Sequence, residues 1–234
     1  MVTGFDPFGL DDDIEQGNPS GVIALQHQRE QIVLGAGIAE IRSMIFPVLY
    51  EDFDEFLVER VLETFSDKVD MVSTFSMGRT GFALKQFPGR RRSASTRDNV
   101  RQKGGGLVEK PFVLSHLKGP EFVEFSLPAG EMKKCMGDFP VNDNRLVTTP
   151  ETGEFEAVSH AALKLGTAVF GSGGGFLSNE IAYRAIRYMQ EKGSSAPVGH
   201  THTPGMQGYD QALVQKIRKQ CASLIELAIR AFVG

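Results

Sequence analysis

Two short segments carry residue types that a nucleophile and its general base require. Ser178 follows the glycine run 171–175 (GSGGG), and at the start of a predicted helix its hydroxyl would be displayed as a nucleophile. His200 and His202 lie two apart in the run 199–204 (GHTHTP), where a strand would point both rings to one face. Either ring could act as a general base for Ser178. The alternatives are an ordinary helix-terminal serine and a satisfied or exposed histidine.

The same segments argue against metal and phosphate binding. A His-x-His pair suits a metal ion, but no third ligand is evident in the sequence. Cys135 and Cys221 lie in no CxxC motif and in no Cys/His cluster. The glycine run would offer amide N–H groups to an anion, yet it lacks both a following Lys-Ser/Thr pair and a full GxGxxG. We therefore predict no metal site and no phosphate loop.

Aromatic residues in a loop indicate a binding pocket. Phe5 and Phe8 lie three apart in the run 3–9 (TGFDPFG), directly after a predicted strand. Loops are polar by default, so apolar rings there often line a pocket. The alternative, slightly favoured by the spacing alone, is that both rings cap the core under the loop.

A basic run follows later in the chain. The segment 89–92 (GRRR) is continued by Arg97, Arg101 and Lys103, and such a cluster could hold a carboxylate, a phosphate or RNA. No aromatic residues are interleaved for base stacking. The pattern therefore favours a solvated loop, and we expect residues 88–106 to be exposed.

The elements that must position these residues alternate in type. Short β-rich runs alternate with amphipathic helical runs, which predicts an α/β fold with a mostly parallel sheet and helices on both faces. A polar, turn-rich insertion is expected at 139–153, and one arm of a hairpin at 82–87. The predicted helices cover about 18–34, 51–68, 128–136, 154–165, 176–192 and 209–232. The predicted strands cover 38–50, 69–75, 122–127, 167–171 and 198–203.

Composition narrows the class of protein. The chain has 234 residues, of which 41% are hydrophobic and 23% charged, as in an ordinary soluble domain. The net charge of −4 argues against a dedicated nucleic-acid or membrane-surface binder. No apolar run approaches the ~20 residues of a membrane span. The first residues lack the basic and apolar regions of an export signal, so we expect a cytoplasmic protein.

Taken in order, these segments resemble the pyroglutamyl peptidase I family, the pyrrolidone-carboxylate peptidases. The run 3–9 is similar to the family's opening T-G-F-[ED]-P-F-G-G, and 18–20 (NPS) to its N-P-S. The run 77–79 (MGR) resembles the end of its A-G-G-R segment. The run 176–180 (FLSNE) resembles its nucleophile segment [FY]-x-C-N-x, and 199–204 its G-F-I-H-V-P.

The resemblance implies a fold and an activity. It implies a three-layer α/β/α sandwich with a mostly parallel, mixed central sheet, formed by a single domain over 1–234 with a divergent, exposed region at about 88–153. Members of the family remove N-terminal pyroglutamyl groups from peptides without a cofactor, and are usually cytosolic and oligomeric. The expected partners are a peptide or small pyroglutamyl-like substrate and further copies of the chain, with no nucleic acid and no membrane. Family members have more apolar residues before residue 2, which leaves an upstream start and an export signal open.

The pocket residues of the family carry over to this chain. Phe5, Phe8 and Phe176 fall at positions that enclose the lactam ring, and Asn18 falls at a polar contact. A small flat amide ring needs such an aromatic box with a few polar groups. The resemblance therefore implies a substrate pocket formed by these four residues.

The catalytic residues depart from the family pattern. His202 matches the catalytic histidine, but Ser178 takes the place of the cysteine nucleophile, and the triad acid position falls on Lys85. A serine is far less acidic than a cysteine and needs its base during the attack. A charged lysine would destabilise the imidazolium that a carboxylate normally stabilises. The family's thiol mechanism is therefore excluded for this chain.

Three hypotheses follow. The protein is a hydrolase with Ser178 as nucleophile and His202 as base, in which Asp98 or Glu180 replaces the missing acid, or a neutral Lys85 acts as the base. Alternatively, it is a pseudoenzyme that binds a pyroglutamyl-like group without cleaving it. In the third hypothesis, it is an interaction protein with a vestigial pocket, whose arginine-rich loop contacts a partner.

Overall fold

A mixed sheet organises the computed structural model, which describes residues 1–35, 37–93, 95–107, 110–113 and 117–233. Within these residues six strands form the central sheet, namely β1 (Val2–Phe5), β4 (Ser43–Phe46), β5 (Val72–Met77), β6 (Phe82–Lys85), β7 (Val141–Asn144) and β10 (Val198–Thr203). Their order is β4-β1-β5-β10-β6-β7. The first four are mutually parallel, while β6 runs antiparallel to β10 and parallel to β7.

Helices cover both faces of this sheet. The α-helices of the described residues are α1 (Pro19–His27), α2 (Tyr50–Asp54), α3 (Leu57–Phe65), α4 (Ala129–Met132), α5 (Leu177–Glu191) and α6 (Gln211–Val233). The expected three-layer α/β sandwich with a mostly parallel sheet is confirmed. None of these helices is both long and apolar enough to cross a membrane.

Two hydrophobic clusters fill the spaces between the layers. Successive strand residues point to opposite faces, so Val2 packs with the α1, α4 and α6 layer whereas Phe5 packs with the α2, α3 and α5 layer. On β5 the same alternation sends Val72 to the second layer and Phe75 to the first. The even-numbered side chains of β5 and β10 therefore face α5, which carries Ser178.

The expected helix over 18–34 is shorter in the structure. Helix α1 ends at His27, because Arg29 takes a left-handed backbone conformation with φ of 65°. The following β2 (Gln31–Leu34) pairs with β3 (Gly37–Glu40) in an antiparallel hairpin. The expected strand over 38–50 is accordingly divided between β3 and β4.

Other expected elements were correct or wrong according to their length and periodicity. The helix expected at 176–192, the strand at 198–203 and the helix at 209–232 agree with the structure, whereas the helix at 51–68 is broken at Phe56, whose φ is 63°. The turn-rich insertion expected at 139–153 and the helix expected at 154–165 were wrong. These residues contain β7, β8 (Leu146–Thr149) and β9 (Gly153–Glu156). No regular strand forms within 122–127 or 167–171, where isolated bridges hold Phe122, Phe170 and Gly171.

The region 88–153 is not the exposed excursion that the sequence predicts. Within its described residues, Arg92, Phe122, Val123 and Val147 are buried, and residues 87–168 contribute a third hydrophobic cluster. Residues 95–97 and 101–103 are exposed as expected, and residues 94, 108–109 and 114–116 lie outside the described part of the chain. The segment is therefore partly a packing layer of the domain.

The contact between β1 and α1 leaves no space for a side chain at Gly4. A Cβ atom there would lie 2.0 Å from the Ser20 carbonyl oxygen. We expect Gly4→Ala to lower the free energy of unfolding by about 1–3 kcal/mol or more, because one of two backbones must shift. Gly130→Ala is the matched control, since a Cβ at this exposed α4 position meets nothing within 4 Å. Equal urea midpoints for the two variants would contradict the prediction.

Candidate active site

A small cavity of about 50 Å³ brings the expected pocket residues together. Phe5, Phe8, Asn18, Phe176 and Ser178 all line it. Sequence reasoning missed the other lining residues, which are Val48, Ser76, Met77 and Leu177. Apolar walls with a few polar groups are typical of small-molecule sites.

Neighbouring aromatic residues hold the rings of the cavity in place. Phe5 stacks against Phe53, with ring centroids 6.2 Å apart and an interplanar angle of 10°. Phe176 meets the ring of Tyr50 edge to face at 5.5 Å. Both are favourable aromatic arrangements, so the walls are supported by a continuous layer of rings behind them.

Asn18 is buried and has a structural role at the start of α1. Its Oδ1 accepts hydrogen bonds from the Ser20 amide at 3.1 Å and the Ser20 hydroxyl at 2.8 Å. Its Nδ2 donates to the Asp6 carbonyl at 2.9 Å. The side chain therefore caps the helix and ties the loop 6–9 to it, while also lining the cavity.

Ser178 lies in the first turn of α5, and its hydroxyl is already engaged. The Oγ donates to the Gly173 carbonyl at 3.1 Å. Next to it, Asn179 donates to the Gly89 carbonyl at 2.7 Å and accepts from the Gly89 amide at 2.9 Å. This turn of helix is thus fixed to the segment that follows β6.

The glycine run before α5 is used internally. The amides of Gly171 and Gly174 donate to each other's carbonyls at 3.0 and 2.8 Å, and the Ser172 amide donates to the Phe87 carbonyl at 2.9 Å. Amides that are paired in this way cannot receive an anion. The run therefore shapes the strand-to-helix turn, and these three amides form no phosphate cradle.

The register of the sheet places His202 and Lys85 on the same face as Ser76, which lines the cavity. His202 pairs with Ser76 on β5 and with Ala83 on β6. Thr201 pairs with Leu84, so by continuation of the ladder His200 lies opposite Lys85. Neither His202 nor Lys85 lines the cavity itself. Among the described residues, no hydrogen bond joins either of them to Ser178.

His202 is a half-buried, neutral imidazole. Its Nε2 atom has no hydrogen-bond partner among the described residues, and its ring lies edge to face against that of His200 at 5.2 Å. Burial, together with the nearby Lys85 charge, holds the pKa of His202 well below its ordinary value. The ring therefore has a free nitrogen, but forming its cation is unfavourable.

Lys85 is a buried ammonium without a carboxylate. Its side chain is 6% exposed, and no described residue forms an ion pair with it. Burial and, to a lesser extent, Arg79 lower the pKa of Lys85 to about 8. The group is therefore charged below that pH and neutral above it.

Neither candidate replacement acid is free to take the triad role. The Asp98 carboxylate accepts the amides of Tyr50 at 3.0 Å and Gln102 at 2.8 Å. Glu180 is paired with Arg92 and with Arg184. The hypothesis that one of these carboxylates orients His202 is not supported by the geometry. Within the described residues, no three His, Cys, Asp or Glu side chains are placed to hold a metal ion.

The arginine run is a structural element, contrary to expectation. Arg90 and Arg91 are half-buried against Glu121. Arg92 is 3% exposed, binds both oxygens of Glu180 and lies 4.9 Å from the Tyr50 ring centroid. The sequence analysis names both Arg92 and Glu180, but it does not predict that they pair. The run supports the start of α5 and offers little charge to a partner.

Sequence reasoning also missed a hydrogen-bonded chain below the cavity. The His200 Nδ1 lies 2.7 Å from the Thr74 Oγ1, and its Nε2 lies 2.9 Å from the Ser76 Oγ. All three side chains are buried. The available signal was Thr74 and Ser76, which lie two apart in β5 and therefore on one face of the sheet.

Comparison with other proteins shows where this fold occurs. The sequence family described as "PA0049, C-terminal domain" matches residues 1–103. A search of curated proteins found no match. Solved structures of pyrrolidone carboxyl peptidase from the hyperthermophile Pyrococcus furiosus are similar over nearly the whole chain.

Two of these structures illustrate the likeness. A mutant of that peptidase has a TM-score of 0.68 and 19% identity, with 99% of this chain and 98% of that one covered. A structure from the work on the same enzyme and its cysteine-free mutant has a TM-score of 0.67 and 20% identity, with 98% and 97% covered. The protein thus has the fold of pyrrolidone carboxyl peptidase.

Proposed function

We propose that the protein is a hydrolase that removes an N-terminal pyroglutamyl group, or a similar cyclic amide, from peptides. The observation that carries this proposal is the cavity, in which Phe5, Phe8 and Phe176 surround a space that Asn18 and Ser178 also line. The faces of a five-membered lactam would pack on the rings, and its amide needs few polar partners. The likeness in fold to pyrrolidone carboxyl peptidase supports the same function.

In the proposed reaction Ser178 is the nucleophile. Its Oγ attacks the acyl carbon while His202 takes the hydroxyl proton, and that proton passes to the leaving amine. Water then hydrolyses the acyl-enzyme by the reverse proton path. Because Ser178 donates to the Gly173 carbonyl, its hydroxyl must first rotate toward the base.

Lys85 has the opposite effect from a triad carboxylate in this scheme. When charged, it keeps His202 neutral and opposes the imidazolium that forms during the attack. Its pKa of about 8 makes the opposition weaker at alkaline pH. In the variant scheme a neutral Lys85 itself accepts the serine proton. Loss of a triad member costs roughly 10⁴-fold in rate, so we expect slow turnover.

The second candidate function is binding of a pyroglutamyl-like group without cleavage. Two observations favour it: the Ser178 proton is directed at a backbone carbonyl, and His202 has Lys85 nearby rather than an acid. The third hypothesis is a loop that contacts a partner through its arginines; it would depend on the exposed Arg97 and Arg101 rather than on Arg92, which is buried in ion pairs.

Release of a fluorophore from pyroglutamyl-aminomethylcoumarin tests the proposal. We expect slow turnover at high enzyme concentration by the wild type and none by Ser178→Ala, because the acyl-enzyme cannot form. Activity in Ser178→Cys alone would indicate an intact pocket around a lost nucleophile. If all three are inactive but calorimetry detects binding of free pyroglutamate, the binding function replaces the hydrolase.

A further inference from the structure

Ser76 is a polar residue on the cavity wall that the proposed reaction does not use. It lies on β5, its side chain is 4% exposed, and it lines the cavity together with Phe5 and Phe176. A buried hydroxyl in such a place must find hydrogen-bond partners or pay a desolvation penalty. Which partners it finds decides what it can offer to a ligand.

The hydroxyl proton of Ser76 is directed away from the cavity. Thr74 donates its own proton to the Gly199 carbonyl at 3.2 Å, so its oxygen is an acceptor for the Nδ1–H of His200 at 2.7 Å. The Nε2 of that neutral ring is then an acceptor, and Ser76 donates to it at 2.9 Å. This arrangement makes three hydrogen bonds, whereas the opposite tautomer makes two because Thr74 has a single proton.

The His200 imidazole, in the middle of this hydrogen-bonded chain, stays neutral. Burial, and after it the charge of Lys85, lowers the pKa of His200 to about 3. A protonated ring would donate from both nitrogens and would turn the hydroxyl of Ser76 around. At neutral pH this does not occur, so the orientation of the Ser76 hydroxyl is fixed by Thr74 and His200.

We propose that Ser76 is a dedicated hydrogen-bond acceptor in the cavity and selects ligands whose ring carries an N–H group. With its proton held by His200, the Ser76 oxygen presents only lone pairs to a bound ring. A lactam N–H can satisfy them, whereas a ring without N–H leaves them unpaired and desolvated. The proposal rests on the proposed function only in taking a small cyclic amide as the ligand.

Two rings of equal size test this proposal by binding alone. The probes are 2-pyrrolidone, which has the ring N–H, and cyclopentanone, which lacks it, each titrated against the full-length protein by NMR. We expect the ratio of the two Kd values to favour 2-pyrrolidone about tenfold more in the wild type than in Ser76→Ala. Comparing ratios removes the difference in hydration between the free probes.

Ser73→Ala is the matched control. Ser73 is an equally buried serine on β5 that points to the opposite face of the sheet, and its substitution should keep the wild-type ratio. An unchanged ratio in Ser76→Ala, or a wild type that binds neither ring, would overturn the inference. A wild type that prefers the lactam but releases no fluorophore supports the inference and removes the hydrolase proposal.

Variants of Thr74 test the hydrogen-bonded chain itself. Thr74→Val has the same shape but cannot accept from His200, and we expect it to reduce the preference for the lactam. Thr74→Ser keeps the hydroxyl and should restore it. A merely structural role for Thr74 would not separate these two variants by ligand preference, so equal ratios would refute the chain's part in recognition.

Discussion

Replacing Lys85 with methionine is expected to stabilise the protein by about 3 kcal/mol at pH 7. The pKa of this buried ammonium falls from 10.5 to about 8 on folding, and each pKa unit corresponds to ~1.4 kcal/mol. Below pH 8 the folded protein must therefore carry a charge that the unfolded chain keeps in water. Methionine fills a similar volume without that charge.

The pH dependence of this gain follows from the two pKa values. Between about pH 8 and 10.5 the unfolded chain binds the Lys85 proton and the folded protein does not, so wild-type stability rises with pH. The advantage of Lys85→Met should shrink over that window and vanish above it. Urea unfolding at several pH values measures this. Lys216→Met, at an exposed α6 position, should change stability by less than about 0.5 kcal/mol at every pH.

The same variant separates two roles for Lys85 in catalysis. If the ammonium only opposes the imidazolium of His202, Lys85→Met should raise the rate of hydrolysis near neutral pH by about tenfold or more. If a neutral Lys85 is the base, the variant should be inactive. A destabilised Lys85→Met would contradict the stability prediction and would mean that the ammonium has an acceptor in solution.

Arg92→Met is expected to destabilise the protein by about 3–5 kcal/mol. Arg92 binds Glu180 with two nitrogens and Asp54 at 2.6 Å, and both Arg92 and Glu180 are 4% exposed in their side chains. Removing one member of a buried ion pair leaves an uncompensated charge. Arg184 still holds Glu180 at 2.8 Å, so we expect the lower end of that range.

The control for Arg92 is an arginine whose ion pair is in water. Arg101 binds Asp11 at 2.6 Å, but the two side chains are 65% and 51% exposed. Exposed pairs contribute about 0–1 kcal/mol, so Arg101→Met should leave the urea midpoint close to that of the wild type. If Arg92→Met and Arg101→Met lower the free energy of unfolding by equal amounts, burial does not explain the contribution of the Arg92 ion pairs.

The parts of the fold that the sequence predicted are those with long or strongly periodic patterns. Helix α5, helix α6 and strand β10 have such patterns. Errors lie at residues 28–40 and 122–171, where strands of four residues or isolated bridges form. Elements that short are decided by pairing with distant segments rather than by local propensity. The break at Phe56 needs a left-handed residue, which no local signal at an aromatic position announces.

The residues of the candidate site that lie in loops at the ends of strands could be predicted from the sequence. Those whose contacts depend on how neighbouring strands align could not. Phe5, Asn18 and Ser178 follow or lie near the carboxyl ends of parallel strands, which meet at one edge of a sheet. The chain from Thr74 through His200 to Ser76 depends on how β5 aligns with β10. The Arg92 guanidinium pairs with the carboxylate of Glu180, which lies 88 residues later in the sequence. Neither pairing can be deduced from the order of residues.

The position of β10 within the sheet has a consequence for how the chain folds during synthesis. This strand, at Val198–Thr203, lies between β5 and β6, so both have an unpaired edge until residues near 203 leave the ribosome. Contacts between segments this far apart in sequence form slowly, and open strand edges invite pairing with other chains. Nascent or truncated chains that lack β10 should therefore aggregate, and the hydrogen bonds of His200 to Thr74 and Ser76 should form only after β10 has joined the sheet.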